Sequence, residues 1–413
     1  MKIHIFDVAA NGHSLADSLR GLSFDGHASS AFEAEVFDAT SALFEAFEHD
    51  PEAALLVDAE QGKEVLDVLG EVSHRWPHTL RLACATTTEM RRLRDLTGWV
   101  NQILFKPLDA NRFVRRIELA AQLKPLLTDP SVFAIIAGSK SLPSFLDSYG
   151  QLLEALDSPE ADLLDIGEAI EQDVGLSSTV LSLANSAFFG GGTEVTGAAH
   201  AISKLGLSAV RAVVMAYPAL SLLDKSPHLQ KQRKTFWKHS RKVAEVARFL
   251  ARTEGFGHEV VGYAYSAGLL HDVGKLILAS NFGKQYDAYL DYAAAQDVPL
   301  HTVERSSMGT DHAAIGAFML GVWGVPQPIV EGIWKHHEAP SDNTSTFDVP
   351  YLIYGANALV RHLDAAGQGT RPPVPVPFVS QEAIPESVRA QIENWLETWR
   401  TSEADALQRK TTA

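Results

Sequence analysis

The sequence predicts two fold classes in series: an open parallel α/β sheet over residues 1–122, and an all-α domain over residues 138–366. Three observations carry this reading. Short continuous apolar runs alternate with amphipathic stretches only as far as about residue 120. Beyond about residue 126 the strand-like runs stop, and apolar residues recur every three or four positions. The Pro-rich segment Gly367–Phe378 then separates that region from one last amphipathic stretch. With 413 residues, 46% hydrophobic and 21% charged, the chain has surface for more than one core and is not of disordered composition.

The strand candidates of the first region are Lys2–Phe6, the weaker run Phe32–Phe37, Ala53–Val57, Leu80–Ala85 and Gln102–Phe105. Helix-like stretches lie between them at Ser14–Leu22, Thr40–Glu48, Lys63–Arg75, Glu89–Leu96 and Asn111–Leu123. Continuous rather than alternating apolar strands indicate a parallel sheet covered on both faces. Five strands and five helices in this order give a flavodoxin-like doubly wound fold. Residues 123–137 read as a linker. In the helical domain the periodicity shows in Phe145, Tyr149, Leu152, Leu153 and Leu156, and again in Ile166, Ala169 and Ile170. Asp157-Ser158-Pro159 and Asp173 supply helix-start signals. Residues 367–380 form an extended spacer, and 381–413 a final helix and tail. That helix, at about Pro385–Trp399, places Val388, Ile392, Trp395, Leu396 and Trp399 on one face.

The formal net charge of −16 disfavours nonspecific nucleic-acid binding, and no DNA partner is expected. The basic, aromatic run Lys225–Lys242 is more simply a solvated face than a phosphate-binding surface. A single cysteine, Cys84, excludes a disulfide within the chain and suits a reducing compartment. The first residues reach Asp7 before a signal-peptide core forms, and the most apolar region, Ala198–Leu223, is interrupted by Lys204 and Arg211. The expectation is a cytoplasmic protein without a membrane segment.

Four polar residues fall at the carboxyl ends of the predicted strands: Asp7, Asp58, Thr86, and Lys106 with Pro107 behind it. Such ends are where a doubly wound sheet binds its ligands. Their order resembles the receiver domain of two-component response regulators. That resemblance implies Asp58 as phosphoacceptor, Asp7 as the acid near Mg²⁺, Thr86 as the sensor of the phosphoryl group, and Lys106 as its pairing cation. The chain departs from the pattern in two places: Asp7 is followed by Val8 and Ala9 rather than a second acid, and Ala59–Lys63 replaces the usual stretch after the acceptor. With fewer carboxylates, weak or no Mg²⁺ binding is expected. Two readings stand, a phosphorylatable switch and an interaction module that has lost phosphotransfer.

The helical domain carries two distinctive sets. In Leu181–Gly190, Asn185 and Ser186 lie near the end of an apolar helix, where they suit local backbone hydrogen bonds, and Gly190–Gly192 end it. The second set is His239, His271-Asp272, His312 and His336-His337. Imidazoles and a carboxylate on neighbouring helices can converge on a divalent metal, with Fe, Mn and Zn all suitable. Such a metal would activate water toward a phosphoester, with Lys275 offsetting phosphate charge. Asp311 reads as a helix cap, and Trp323 and Trp334 as packing anchors.

From about Leu142-Pro143 to Leu363 these segments resemble the HDOD domain, an all-helical signalling module related to HD-type phosphohydrolases. In HD order His239, His271 and Asp272 stand at the first three ligand positions, while the fourth, an Asp in the family, is Asn357. The likeness implies His239, His271, Asp272, His312 and His337 as metal ligands, the last two as in the dinuclear HD-GYP group, and Lys275 and Asp272 as catalytic. The GYP element is missing, because Ala339–Pro350 follows His336-His337-Glu338; cyclic-di-GMP hydrolysis is therefore rejected. Most HDOD domains lack metal ligands and are regarded as non-catalytic. The expected function is bacterial-type signal transduction, a degenerate receiver coupled to an HDOD effector acting through protein contacts. The alternatives are a metal-dependent phosphohydrolase of a nucleotide or second messenger, and a non-catalytic nucleotide or metal sensor. Expected partners are other signalling proteins, a nucleotide ligand and a second copy of the chain.

Overall fold

A computed structural model of the chain describes residues 2–7, 33–85, 96, 99–106, 113, 117, 120–121, 123–138, 152, 155–156, 162–185, 195–222, 230–322, 325–340, 348–367 and 385–411. The chain divides into two compact units, residues 1–151 with 317–327, and residues 152–316 with 328–413.

The first unit is built on five parallel strands: β1 Lys2–Phe6, β2 Glu33–Phe37, β3 Ala54–Asp58, β4 Arg81–Ala85 and β5 Gln102–Phe105. Their order is β2-β1-β3-β4-β5, with Ile5 opposite Val36 and Leu56, Leu56 opposite Leu82, and Ala83 opposite Ile103. Every residue of β3 and β4 is buried, as a sheet covered on both faces requires. Helix α1 (Thr40–His49) buries Leu43 and Phe47, and α2 (Lys63–Arg75) buries Val65, Val68, Leu69 and Val72 at the spacing of one helical face. Because strand order reverses between β1 and β3, their carboxyl ends flank the crevice that such folds use for binding. Asp7 and Asp58 stand there. The sequence places β1, β5 and α2 at the observed bounds, and β2, β3 and β4 within a residue. The stretch Ser14–Leu22 lies outside the described residues, as do most of Glu89–Leu96 and Asn111–Leu123.

The segment expected as a linker is helical, with α3 at Lys124–Leu127 and α4 at Pro130–Gly138. Its prolines sit in the first turn, where a missing N–H costs nothing, so they start helices rather than break them. Asp129 accepts from Ser131 N and Val132 N at 2.8 and 3.2 Å, and Leu126, Leu127, Val132 and Ile136 are buried.

The second unit is helical. It begins with α5 (Leu163–Glu171), α6 (Val174–Ala184), α7 (Ala198–Leu205) and α8 (Leu207–Leu222). Asp162 and Asp173 cap α5 and α6 through Leu164 N and Leu176 N. Asn185 donates its amide to Val195 O at 2.7 Å and accepts Val195 N at 2.9 Å, pinning the two ends of a chain excursion together. Its role is structural, as local hydrogen-bonding chemistry suggests; residues 186–194 lie outside the described ones.

The remaining helices are α9 (Gln230–Thr253), α10 (His258–Leu270), α11 (Val273–Phe282), α12 (Lys284–Gln296), α13 (Leu300–Met308), α14 (His312–Val322), α15 (Gln327–Trp334), α16 (Val349–Gly367) and α17 (Glu386–Thr411). Helix α17 buries Val388, Ile392, Trp395 and Leu396, and Trp395 donates its indole N–H to Glu254, in the turn after α9, at 2.6 Å. Among the described residues no single helix is long and apolar enough to cross a membrane; the apolar pair Ala198–Leu205 and Leu207–Met215 is bent by 115°.

Two glycines let helix backbones touch. A Cβ on Gly268 of α10 would lie 2.7 Å from Ala244 Cα of α9, and one on Gly274 of α11 would lie 1.9 Å from the His312 carbonyl oxygen of α14. No side-chain adjustment relieves either clash, because the obstacle is backbone. Gly274→Ala is therefore expected to lower the thermal midpoint sharply, by about 3 kcal/mol or more of stability. Gly257→Ala, at φ −65° with no atom within 4 Å of its added methyl, should melt like wild type; thermal denaturation followed by circular dichroism distinguishes them.

Candidate metal centre

Asp272 stands at the junction of α10 and α11, in the position from which a carboxylate ordinarily caps the next helix. It makes no such cap. Its side chain instead turns into the unit, 3% exposed, and its two oxygens face different groups. Oδ2 lies 3.5 Å from His271 Nε2 and 3.9 Å from His239 Nε2. Oδ1 lies 3.3 Å from His312 Nε2 and 3.6 Å from His336 Nε2. His337 joins the second group, its Nε2 2.9 Å from that of His312. Two sets of donors result, His239, His271 and Asp272 on one side and His312, His336 and His337 on the other; within each, the ligand atoms lie within 4.8 Å of one another.

The far sides of the rings are already committed. His271 Nδ1 donates to Gly268 O at 2.7 Å, His336 Nδ1 to Ile333 O at 2.6 Å, and His312 Nδ1 to the Glu304 carboxylate at 2.6 Å. A carbonyl or carboxylate only accepts, so each of these nitrogens carries a proton, and Nε2 of the neutral rings of His271 and His336 presents a lone pair inward. Nε2 of His239, His271 and His336 is buried without a hydrogen-bond partner. Orphaned buried acceptors of this kind are costly unless something electropositive occupies the space between them. Two donors about 2.05 Å from a tetrahedral metal stand about 3.4 Å apart, and about 2.9 Å at a right angle. The separations of 2.9 and 3.3 Å fall in that range, while those of 3.5, 3.6 and 3.9 Å lie beyond it.

The protonation states suit metal binding as well. Burial pushes His239 down to about 3 and His271 down to about 4, and it holds His336 and His337 well below the usual imidazole range. Burial alone would raise Asp272; Lys275, His271 and His312 outweigh it and keep the carboxylate well below its ordinary value. His312 moves the other way, because Glu304 outweighs its burial. Neutral imidazoles around an ionised carboxylate need release few protons to take a metal.

Two cations border the cluster. Lys275 Nζ donates to Asp272 Oδ2 at 2.7 Å. Asn357 on α16 accepts from Arg361 Nε at 3.3 Å, and the guanidinium charge reaches Asp272 and His239.

The residues singled out in the sequence, His239, His271, Asp272, Lys275, His312 and His337, are thus in one place. His336 belongs with them as well: adjacent residues on a helix usually point apart, but His336 and His337 lie in the turn after α15, and both reach the cluster. Glu304 and Arg361 carried no signal, since each reads in sequence as a charged residue on an amphipathic helix. Asp311 is the expected cap, accepting Ala314 N at 2.9 Å.

In the first unit, Lys106 Nζ donates to Asp58 Oδ2 at 2.7 Å and to Glu60 Oε2 at 3.2 Å. Asp58 Oδ1 accepts Glu60 N at 3.0 Å, and Gln61 donates its side-chain amide to Asp7 Oδ1. Thr86 lies outside the described residues.

Comparison with known proteins agrees with the helical reading. The family model described as HDOD domain matches residues 142–339. An uncharacterized protein of Treponema pallidum (strain Nichols) is 27% identical over 250 residues, 60% of this chain and 47% of that protein. The chain thus spans about half the length of this curated relative. Among solved structures, an HDOD domain protein of unknown function from Geobacter sulfurreducens is 20% identical with a TM-score of 0.49, covering 68% of this chain and 94% of its own. The MmoQ response regulator of Methylococcus capsulatus is 21% identical with a TM-score of 0.32, covering 53% and 86% respectively. The chain carries an HDOD domain at residues 142–339, and the His/Asp cluster that could hold metal lies within it.

Proposed function

We propose that this chain is a regulatory HDOD protein whose helical unit binds divalent metal and hydrolyses a phosphoester of a nucleotide or second messenger. The observation that carries the proposal is Asp272, one buried carboxylate whose two oxygens are divided between two sets of inward-facing imidazoles. His239, His271 and Asp272 Oδ2 would hold one metal, and His312, His336, His337 and Asp272 Oδ1 a second. When bound, such metals supply Lewis acidity toward a phosphoryl oxygen and lower the pKa of water. Lys275 and Arg361 provide fixed positive charge where a phosphate would sit. Burial keeps the imidazoles of His239, His271, His336 and His337 neutral.

A second reading, ligand binding without turnover, is favoured by one feature. Asn357 is neutral, and Arg361 occupies its oxygen, so the fourth anionic ligand of an HD site is replaced by a neutral amide with a cation on it. The test is a panel of phosphomonoesters and phosphodiesters with Mn²⁺, Fe²⁺ or Zn²⁺. Wild type should turn over at least one of them, and Asp272→Ala should cut kcat/KM by roughly 100-fold or more. Equal rates in both proteins would remove the enzyme reading; metal-dependent nucleotide binding without turnover would install the second.

For the first unit we propose a receiver-like interaction module that works without phosphorylation and passes its effect on through protein contacts. The bridging of Asp58 and Glu60 by Lys106 supports this, as does the Gln61 amide on Asp7 where a metal would need that carboxylate. Acetyl phosphate with Mg²⁺ is expected to leave no phosphoryl adduct on the intact protein by mass spectrometry. An adduct that disappears in Asp58→Ala would overturn the proposal.

A further inference from the structure

We infer that the two metal positions flanking Asp272 are unequal: the set His312, His336, His337 and Asp272 Oδ1 is the tight, resident site, and the set built on the His-Asp pair is the weak, exchangeable one. This rests on the metal-centre reading above and reverses the ranking that motif order suggests, in which His239, His271 and Asp272 come first.

Donor count points the same way as charge. The first set offers three imidazole nitrogens, with Asp272 Oδ1 3.3 Å from that of His312 and 3.6 Å from that of His336. The second offers two imidazoles and Asp272 Oδ2, and that oxygen is already taken by Lys275 Nζ at 2.7 Å. A metal entering there has to displace an ammonium from its only anionic donor. Where the missing ligand would stand, Asn357 contributes no charge and brings Arg361 with it. The Lys275 ammonium on that oxygen therefore opposes a dication at this position.

Around the resident set the electrostatics are opposite. Glu304 on α13 is fully buried, and one of its oxygens accepts both His312 Nδ1 at 2.6 Å and the His312 backbone N at 3.0 Å. Its other oxygen accepts the Tyr286 hydroxyl at 2.6 Å. This chain of hydrogen bonds fixes the ring angle and tautomer of His312 and places a negative charge one imidazole away from the metal. Glu304 is thus a positioning residue, and outer-sphere carboxylates of this kind commonly contribute 10- to 100-fold in metal affinity.

The arrangement has a consequence for the substrate class. A phosphate dianion arriving beside Lys275 and Arg361 would neutralise the ammonium that opposes the weak position, and it would draw Lys275 away from Asp272 Oδ2. The second metal and the anionic substrate then bind cooperatively, each lowering the cost of the other. A ligand without a phosphate or comparable anion would leave the weak position unfilled.

The experiment is calorimetric titration of the metal-free full chain with Zn²⁺ or Mn²⁺ alone, repeated with inorganic phosphate. Two steps at least about 10-fold apart in affinity are expected, the weaker strengthened by phosphate. His239→Ala should remove only the weak step, and Lys275→Met should tighten it. Glu304→Gln should weaken the tight step by about 10- to 100-fold and leave the weak one unchanged. The amide keeps an acceptor for His312 and a donor for the Tyr286 oxygen, so unchanged thermal denaturation separates loss of charge from loss of fold. Loss of the tight step in His239→Ala, two equal steps, or an unaltered tight step in Glu304→Gln would overturn the inference while leaving the metal centre standing. No binding by wild type would overturn both.

Discussion

The arrangement of the helical unit depends on one buried carboxylate. Asp272 is removed from water, yet Lys275, His271 and His312 outweigh its burial and hold its carboxylate well below the ordinary range. A carboxylate in that setting has no structural necessity, since the helix it precedes forgoes the cap it could have provided. A buried carboxylate beside three ring nitrogens without partners is the donor set of a group that could hold a metal. The neighbouring features follow from that requirement: carbonyls and Glu304 orient the rings, and the helices carrying them are brought within reach of one another.

That last condition is met by residues with no chemistry of their own. Gly268 lets α10 touch α9, which sets His271 beside His239, and Gly274 lets α11 touch α14, which brings His312 to Asp272. A side chain at either position would push its helix away from the neighbour and draw the ligands apart. The site is therefore encoded as much by the glycines as by the ligands.

What could be read from the sequence follows from which physics is local. Parallel strands buried on both faces leave uninterrupted apolar runs, so β1, β5 and α2 appear in the sequence at their observed bounds. The helices within 123–137 are not legible, because a proline at the start of a helix and one in a linker look alike until the buried face of Leu126, Leu127 and Val132 is seen. His239, His271 and Asp272 are legible because their order is distinctive. His336, Glu304 and Arg361 are not, because their role arises from the direction of a helix end or a helix face in three dimensions. The Asn357 substitution was visible, but its partner Arg361, one turn further along α16, acquires meaning only from the 3.3 Å contact.

The two units offer contrasting fates for an acidic pocket. In the first, the carboxylates of Asp7 and Asp58 are satisfied from within the chain by Gln61, Lys106 and a backbone N–H. In the second, imidazole lone pairs remain without internal partners, and the chemistry calls for something from outside. The most direct test of this difference is the metal content of the purified, tag-free chain by inductively coupled plasma mass spectrometry, beside a His271→Ala/Asp272→Ala double variant. Near-stoichiometric Fe, Mn or Zn in wild type that falls sharply in the variant is the predicted result. Equal metal in the two, or none in wild type after anaerobic reconstitution with Fe²⁺ and Mn²⁺, would contradict it.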